Sequence, residues 1–242
     1  MGFFTKLQAR RRKNTEAKDL ETANTSGSPD LMTLGGSKQP TADRTVGHGV
    51  GPHPKPWPVG KQYDPELLEH GDSRNVVDKY RYWTNQAIVA DLDRQRSSLV
   101  IAIENLEHDF NMGTIVRTAN AFNATAVHII GRKQWNKRGA MVTNRYLQVL
   151  HHPTVTDFLQ TIGNRPLIAI DNQTGAQKLH EVKLPADGVL IFGSEASGIS
   201  AELLTHCQTM VEIEQFGSTR SVNVGVAAGI VMYEYMRQNV LK

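Results

Sequence analysis

The chain has 242 residues, of which 39% are hydrophobic and 21% are charged, with 27 lysines and arginines against 24 aspartates and glutamates. This length suits one domain plus a less ordered part, and the formal net charge of +3 leaves any affinity for nucleic acid to local basic patches. The single cysteine, Cys207, excludes an intrachain disulfide and a cysteine-based zinc cluster and favours a reducing, cytoplasmic setting, and no apolar run reaches the roughly 20 residues that cross a membrane.

Residues 1–60 are predicted to form a disordered N-terminal tail. Residues 22–60 are rich in Ser, Thr, Gly and Pro and show almost no apolar periodicity, so they cannot bury enough surface to offset the entropy of ordering. The basic residues 10–13 would suit an RNA-contacting arm, although a solvated tail that aids solubility is the preferred interpretation.

Residues 61–96 are predicted to form a helical extension that packs on the rest of the chain. A short helix ends at Gly71, and residues 73–96 carry apolar side chains at three- and four-residue spacing, which predicts an amphipathic helix. The basic side chains of its polar face are Arg74, Lys79, Arg81 and Arg94.

Residues 97–242 alternate between predicted strands and helices, which indicates an α/β domain with a parallel sheet covered by helices on both faces. Strands are predicted at residues 98–105, 126–130, 166–170, 188–192 and 210–213, and helices at residues 111–123, 155–162, 200–207 and from about residue 221. Ligands of such sheets bind beyond the carboxyl ends of the strands. Three of these ends carry polar or glycine-rich loops.

The first strand end leads into a helix that Asn111 is predicted to cap, with Gly113 just inside it. Arg117 lies one to two turns further on, near enough to reach the same crevice as Asn111. A surface arginine on an amphipathic helix is the simpler alternative for Arg117.

The second strand end carries Gly193, Ser194 and Glu195, followed by Gly198 and a helix. The glycines allow a tight loop whose backbone amides can face a ligand. The Gly-Lys-Ser/Thr ending of a phosphate-binding loop is absent, and no GxGxxG follows the first strand, so a generic nucleotide-binding domain is disfavoured. Glu195 could otherwise serve only the dipole of the following helix.

The third strand end is a polar loop with Ser221 and Asn223 that runs into a helix of small and apolar residues. The unsatisfied N–H groups at a helix start favour an electron-rich ligand. A buried helix with a Ser/Asn cap explains this stretch equally well when it is taken alone.

Together, in this order, the three strand ends resemble the motifs of the SpoU family of knotted, S-adenosylmethionine-dependent RNA methyltransferases. The matching residues are Asn111-x-Gly113-x-Ile115-x-Arg117-Thr118, Phe192-Gly193-Ser194-Glu195-x-x-Gly198 and Gly217-x-x-x-Ser221-Val222-Asn223-Val224, within a resemblance over about residues 98–237. Two departures lie near the third motif: Glu214-Gln215 stands where the family usually has Pro-Met, and Gly225 where it usually has Ser.

The resemblance implies methyl transfer from S-adenosylmethionine to a ribose 2′-OH of tRNA or rRNA, a C-terminal trefoil knot and a homodimer. It implies that Arg117 acts on the 2′-OH, that Asn111, Ser221 and Asn223 orient Arg117 and the ribose, and that Glu195 holds Arg117 or its neighbouring loop. The cofactor would contact Gly193, Ser194, Ile213, Val222 and Asn223. A SpoU-like protein that binds RNA without catalysis is the alternative.

A basic stretch without acidic residues, residues 131–146, follows one of the strands and is predicted to bind RNA phosphates, with an aromatic ring to stack on a base. Its candidate contacts are Arg132, Lys133, Trp135, Lys137, Arg138 and Arg145. A solvated basic loop is the alternative. His151 and His152 have no partner with ligand spacing, so no metal site is assigned.

Overall fold

A seven-stranded parallel sheet forms the frame of the protein in the computed structural model, which describes residues 49–104, 109–131, 137–140 and 143–241. The strands lie in the order β3-β2-β1-β6-β4-β7-β5, and every neighbouring pair is parallel. They are β1 Ser97–Glu104, β2 Ala124–Ile130, β3 Gln148–His152, β4 Leu167–Ile170, β5 Gln177–Lys178, β6 Val189–Phe192 and β7 Thr209–Glu212. The predicted α/β class with a parallel sheet is confirmed.

Helices cover both faces of this sheet, as predicted. They are α1 Pro65–His70, α2 Asn85–Asp93, α3 Asp109–Ala121, α4 Val155–Ile162, α5 Ala201–Leu204 and α6 Val224–Asn239. Alternate side chains of β1 divide the core: Leu99 and Ile101 pack with α3 and α6, whereas Val100 and Ala102 pack with α4 and α5. Burial on both faces explains why β1 reads as a continuous apolar run.

Two strands, β3 and β5, were not predicted. Burial in β3 alternates between exposed and covered positions, and β5 has only two exposed residues, so neither carries a continuous apolar run. Both lie at an edge of the sheet, where one neighbouring strand suffices to define them.

Several predicted helix ends are wrong. Helix α3 begins at Asp109, so Asn111 lies inside its first turn and is not its cap. Helix α6 begins at Val224 with Asn223 as its cap, not near residue 221, and the helix predicted at residues 200–207 contracts to α5. Asn111 and Asn223 form hydrogen bonds with residues distant in the chain, which the local pattern does not reveal.

The long amphipathic helix predicted for residues 73–96 is also wrong. A single 3₁₀ turn, Asp78–Tyr80, is followed by Tyr82 in the left-handed region, with φ of 63°, and Thr84 then caps α2 through Ala87 N–H. The four basic side chains do not share one helix, and each pairs with a carboxylate: Arg74 with Asp72, Arg81 with Asp78, and both Lys79 and Arg94 with Asp91.

Residues 49–60, which the sequence assigned to the disordered tail, pack against the extension in the structure. Val50 and Asp72 form an antiparallel bridge, and His53 N–H donates to the Leu68 carbonyl at 2.9 Å. The buried Asp72 carboxylate also accepts from the Tyr82 backbone, so one acidic side chain organises this turn. The rest of the predicted tail, residues 1–48, lies outside the described residues.

Candidate active site

A cavity of about 400 Å³ opens at the carboxyl ends of β4, β6 and β7. These three strands are adjacent in the sheet, so the loops that follow them meet at one edge. The lining groups come from residues 170–173, 192–198, 211–213, 215, 221–224 and 227. The position and volume are those of a small-molecule pocket.

One wall is the loop of residues 193–198, which its own backbone closes. Ser194 and Gly198 exchange two backbone hydrogen bonds, each 2.9 Å long, and the Ser194 hydroxyl oxygen accepts from Ala196 and Ser197 N–H. A side chain at Gly193 would put Cβ 2.2 Å from the Gly198 carbonyl carbon, and Gly198 itself has φ of +68°. Both glycines are therefore required by this crossing of the backbone.

A buried carboxylate anchors the far end of this loop. Glu104, the last residue of β1, is 3% exposed, and its Oε2 accepts a 2.8 Å hydrogen bond from Ser200 N–H. The bond ties the start of α5 to a neighbouring strand end.

The opposite wall is the segment of residues 213–223, and side chains from the ends of β4 and β7 hold its loop, residues 217–223, in place. The Arg220 carbonyl accepts from Asn172 Nδ2 at 2.5 Å and from Gln215 Nε2 at 3.5 Å. Asn172 follows β4 and Gln215 follows β7, so the loop is tied to both strand ends. Residues 216–221 are otherwise exposed.

A chain of hydrogen bonds connects the three predicted motifs. Asn111 Nδ2 donates to Glu195 Oε1 at 2.6 Å, and Asn223 Nδ2 donates to Asn111 Oδ1 at 3.0 Å. Asn223 Oδ1 also accepts from Gly225 and Val226 N–H, which caps α6. The amide of Asn111 is 7% exposed and is held at both of its polar ends.

The glycine of the first motif permits a close contact between α3 and the 3₁₀ helix Lys137–Ala140. A Cβ at Gly113 would lie 2.6 Å from Gly139 Cα, so any larger residue there would push the two segments apart. The 3₁₀ helix Lys137–Ala140, which belongs to the basic stretch, is thereby packed on the helix that carries Asn111 and Arg117. Arg117 itself is exposed, about 9 Å along the helix axis from Asn111, and is not one of the residues that line the cavity.

The sequence profile of the SpoU rRNA methylase family matches residues 98–233. The chain belongs to the SpoU family. The match includes the whole cavity and all three motifs, and the expected family membership is confirmed.

Individual relatives of this SpoU protein include 23S rRNA (guanosine-2′-O-)-methyltransferase RlmB of Neisseria meningitidis, 29% identical over 60% of this chain and 60% of that protein. The tRNA (guanosine(18)-2′-O)-methyltransferase of Escherichia coli is 26% identical over 61% of this chain and 66% of its own length. An AdoMet-bound rRNA methyltransferase from Sinorhizobium meliloti shares the fold, with a TM-score of 0.54 and 24% identity over 62% of this chain and 59% of that one. The chain thus spans less than two thirds of each.

The two departures from the SpoU pattern have local explanations. Glu214 pairs with Lys178 Nζ at 2.9 Å and with His180 Nδ1 at 3.1 Å, and the Lys178 contact lowers the pKa of the Glu214 carboxyl. At Gly225, a Cβ would lie 3.2 Å from Asn223 Oδ1 and 3.3 Å from Thr114 Cγ2, so a serine there would require a small shift of one of these side chains. Neither departure closes the cavity.

The structure brings most of the predicted site residues of this SpoU chain together. Asn111, Glu195 and Asn223 are hydrogen-bonded, and the cavity is lined by Gly193, Ser194, Glu195, Ile213, Ser221, Val222 and Asn223. Of the predicted RNA contacts, Arg145 is exposed, whereas Arg132, Lys133, Trp135 and the side chains of Lys137 and Arg138 lie outside the described residues.

The sequence analysis missed several residues of the site. Asp171, Asn172 and Gln173 line the cavity and were not among the predicted site residues, and Gln215 was considered only as a departure from the family. The signal for the first three was available, because β4 is a parallel strand and its carboxyl end belongs to the same edge. Glu104 is distant from Ser200 in the chain and could be assigned only from the fold.

His152 has a partner that the sequence did not reveal. The buried rings of His128 on β2 and His152 on β3 stack at 5.0 Å, with Nδ1 of His128 2.8 Å from Nε2 of His152. Within the described ranges, no three His, Cys, Asp or Glu side chains group as metal ligands would. In the same part of the chain, no helix is long and apolar enough to cross a membrane.

Proposed function

We propose that this SpoU protein is an S-adenosylmethionine-dependent methyltransferase that modifies a ribose 2′-OH of tRNA or rRNA. The observation that carries the proposal is the Glu195–Asn111–Asn223 chain, which joins the three motif segments beside the cavity. Support also comes from the two relatives above, which are named for 2′-O-methylation of rRNA and of tRNA.

The cavity fits S-adenosylmethionine in size and in chemistry. Ile213, Val222 and Val224 offer apolar surface for a base, while the backbone near Gly193 and the carboxylates of Asp171 and Glu212 offer polar contacts. When bound, the cofactor supplies a methyl group on a sulfonium sulfur, so transfer breaks the S–C bond, forms an O–C bond and releases the hydroxyl proton.

Arg117 is proposed to act on the ribose as a cation, not as a base. A guanidinium group keeps its proton in proteins, so it suits binding the adjacent phosphate and stabilising negative charge that develops on the 2′ oxygen. A phosphate oxygen or water then takes the proton. Asn111 and Asn223, each fixed by hydrogen bonds, would orient the ribose together with Ser221 at the cavity rim.

The decisive experiment compares Arg117→Ala with wild type in two assays, RNA methylation and calorimetric binding of S-adenosylhomocysteine. Methylation should fall at least a hundredfold while cofactor binding stays unchanged, because Arg117 is exposed and does not line the cavity. Arg94→Ala, an exposed arginine of the extension, is the control and should keep full activity. Full activity in Arg117→Ala would refute the role.

RNA binding is proposed for the basic stretch and for the neighbouring surface of α3. The close contact of Gly139 with Gly113 supports this, because it brings residues 137–140 of the stretch beside the helix of Arg117. Alanine at Lys137, Arg138 and Arg145 should weaken RNA binding and reduce its dependence on salt, since each lost phosphate contact removes counterion release. Unchanged RNA affinity in this triple variant would instead favour a solvated loop.

A homodimer is proposed through the outer face of α6. Val226, Ile230 and Tyr233 lie at helical spacing and are 53%, 42% and 54% exposed, an apolar stripe without cover in the described chain. Ile230→Asp should give a monomer by light scattering, whereas Val59→Asp, at a 98% exposed position elsewhere, should not. A dimer that survives Ile230→Asp would refute this interface.

We also propose, on family membership, that the C-terminal segment forms a trefoil knot and that the protein works in the cytoplasm. A non-catalytic RNA-binding role is the alternative, prompted by Glu214-Gln215 and Gly225. Titration with S-adenosylhomocysteine separates the two, because a pure RNA binder has no need of the cofactor. Saturable binding would favour catalysis.

A further inference from the structure

Gln215 is the one residue among the departures from the SpoU pattern that belongs to the lining of the cavity. Its side-chain Oε1 is buried and has no hydrogen-bond partner among the described residues. A buried acceptor without a partner is unfavourable, and the missing donor can be supplied by a bound molecule.

The other end of the same amide is only weakly engaged. Gln215 Nε2 reaches the Arg220 carbonyl at 3.5 Å, the limit of a hydrogen bond, while Asn172 Nδ2 donates to the same oxygen at 2.5 Å. Because Asn172 already satisfies the Arg220 carbonyl, the amide of Gln215 can turn towards a ligand without leaving that carbonyl unpaired.

We propose that Gln215 binds the adenine of the cofactor, with its amide oxygen accepting a hydrogen bond from the exocyclic 6-amino group. A glutamine amide matches the edge of adenine, because it can accept from the amino group and donate to N7. Ile213, two residues earlier, lends an apolar side chain to the same cavity, which suits a flat base. The neighbouring carboxylates of Asp171 and Glu212 instead suit the hydroxyl and ammonium groups of the cofactor. The inference rests on the proposed methyltransferase function.

The test is calorimetric binding of two compounds, S-adenosylhomocysteine and its analogue with hydrogen in place of the 6-amino group. Wild type should prefer the amino compound by about fivefold, the value of one neutral hydrogen bond. Gln215→Met, which matches glutamine in length and restores the usual family residue, should remove that preference. Gln215→Glu keeps an acceptor and should retain it.

Gln173→Met is the matched control. Gln173 also lines the cavity, but its Nε2 already donates to Asp171 Oδ2 at 2.8 Å, so this variant should keep the preference of the wild type. Thermal shift with the amino compound gives a second readout of binding that is independent of methyl transfer.

The outcomes separate this contact from the function on which it rests. Binding by the wild type with an unchanged preference in Gln215→Met would overturn the contact alone. An equal loss of affinity for both compounds in that variant would overturn the assignment of the contact to the amino group. Failure of the wild type to bind either compound would overturn the proposed cofactor, and the contact with it.

Discussion

The two loops that form the walls of the cavity are built in different ways. The loop of residues 193–198 is closed by its own backbone, with two hydrogen bonds between Ser194 and Gly198 and a contact that only glycine allows at position 193. The loop of residues 217–223 instead depends on side chains from other strand ends, chiefly Asn172. The first is therefore a fixed wall, and the second is a wall whose position single side chains can change.

The largest expected effect tests the fixed wall. Gly193→Ala should destabilise the protein by about 3 kcal/mol and abolish cofactor binding, because the new Cβ would collide with backbone that cannot move aside. Gly217→Ala in the other loop is the control, since a Cβ there meets nothing within 4 Å. Urea unfolding measures both, and equal midpoints would contradict the contrast between the loops.

Acid should act on a third region, on the other side of β1 from the cavity. Burial lowers the pKa of His128 from 6.5 to about 4, and the nearby His152 and Arg165 lower it by smaller amounts. Burial also lowers the pKa of His152; His151 lowers it further, whereas Asp157 raises it. Between pH 6.5 and pH 4 the unfolded chain binds more protons than the folded protein. The contribution of these histidines to stability is therefore present above pH 6.5 and is lost as the pH falls towards 4.

A loss of about 2 kcal/mol is expected between pH 6.5 and pH 5, from urea midpoints at both values. His128→Gln should flatten this dependence of stability on pH, because it removes the imidazole whose pKa is lowered to about 4. If the variant keeps the pH dependence of the wild type, the buried histidine pair is not its source.

Asn223→Ala tests the junction between the loop of residues 217–223 and α6, which Asn223 caps. Loss of the helix cap should lower the free energy of unfolding by about 1 kcal/mol. Loss of the hydrogen bond to Asn111 should lower the methylation rate by more than this loss of stability accounts for. Asn223→Asp separates the two effects, because a carboxylate still accepts from Gly225 N–H but cannot donate to Asn111. Full methylation in Asn223→Asp would show that the link to Asn111 has no role in the reaction.

Asn172→Ala should have the smallest effect on stability, about 0.5–1 kcal/mol. Hydrogen exchange should become faster in residues 217–223 and stay unchanged in residues 193–198, since only the former depend on this side chain. Asn172→Asp, which lacks the amide N–H that donates to the Arg220 carbonyl, should give the same result as Asn172→Ala. Equal acceleration in both loops would contradict the distinction drawn between them.

The sequence predicted the fold class because parallel strands buried on both faces are continuous apolar runs. β1 and β6 were predicted within a residue of their observed limits for this reason. The short edge strands β3 and β5 carry no such run and were missed. The helix predicted for residues 73–96 failed because Asp72 and Asp91 bind groups across a turn, which outweighs local periodicity.

The candidate site was predicted where motif spacing carries the information. Asn111, Glu195 and Asn223 were identified from three separate segments, and the structure places their amide and carboxylate groups in one hydrogen-bonded chain. Residues with no motif of their own, such as Asn172 and Glu104, were missed because their partners lie far away in the chain.

The sequence by itself determined the parallel sheet, the three motif segments and the family, since apolar runs and glycine spacings are local properties of the chain. Only the tertiary structure decided which strand ends are adjacent and that Gly113 lies against Gly139. It also decided that Gln215 belongs to the cavity lining and that its Oε1 has no hydrogen-bond partner among the described residues. The physical reason is that these are contacts between distant residues, and their energies depend on the order of strands in the sheet, which local patterns do not specify.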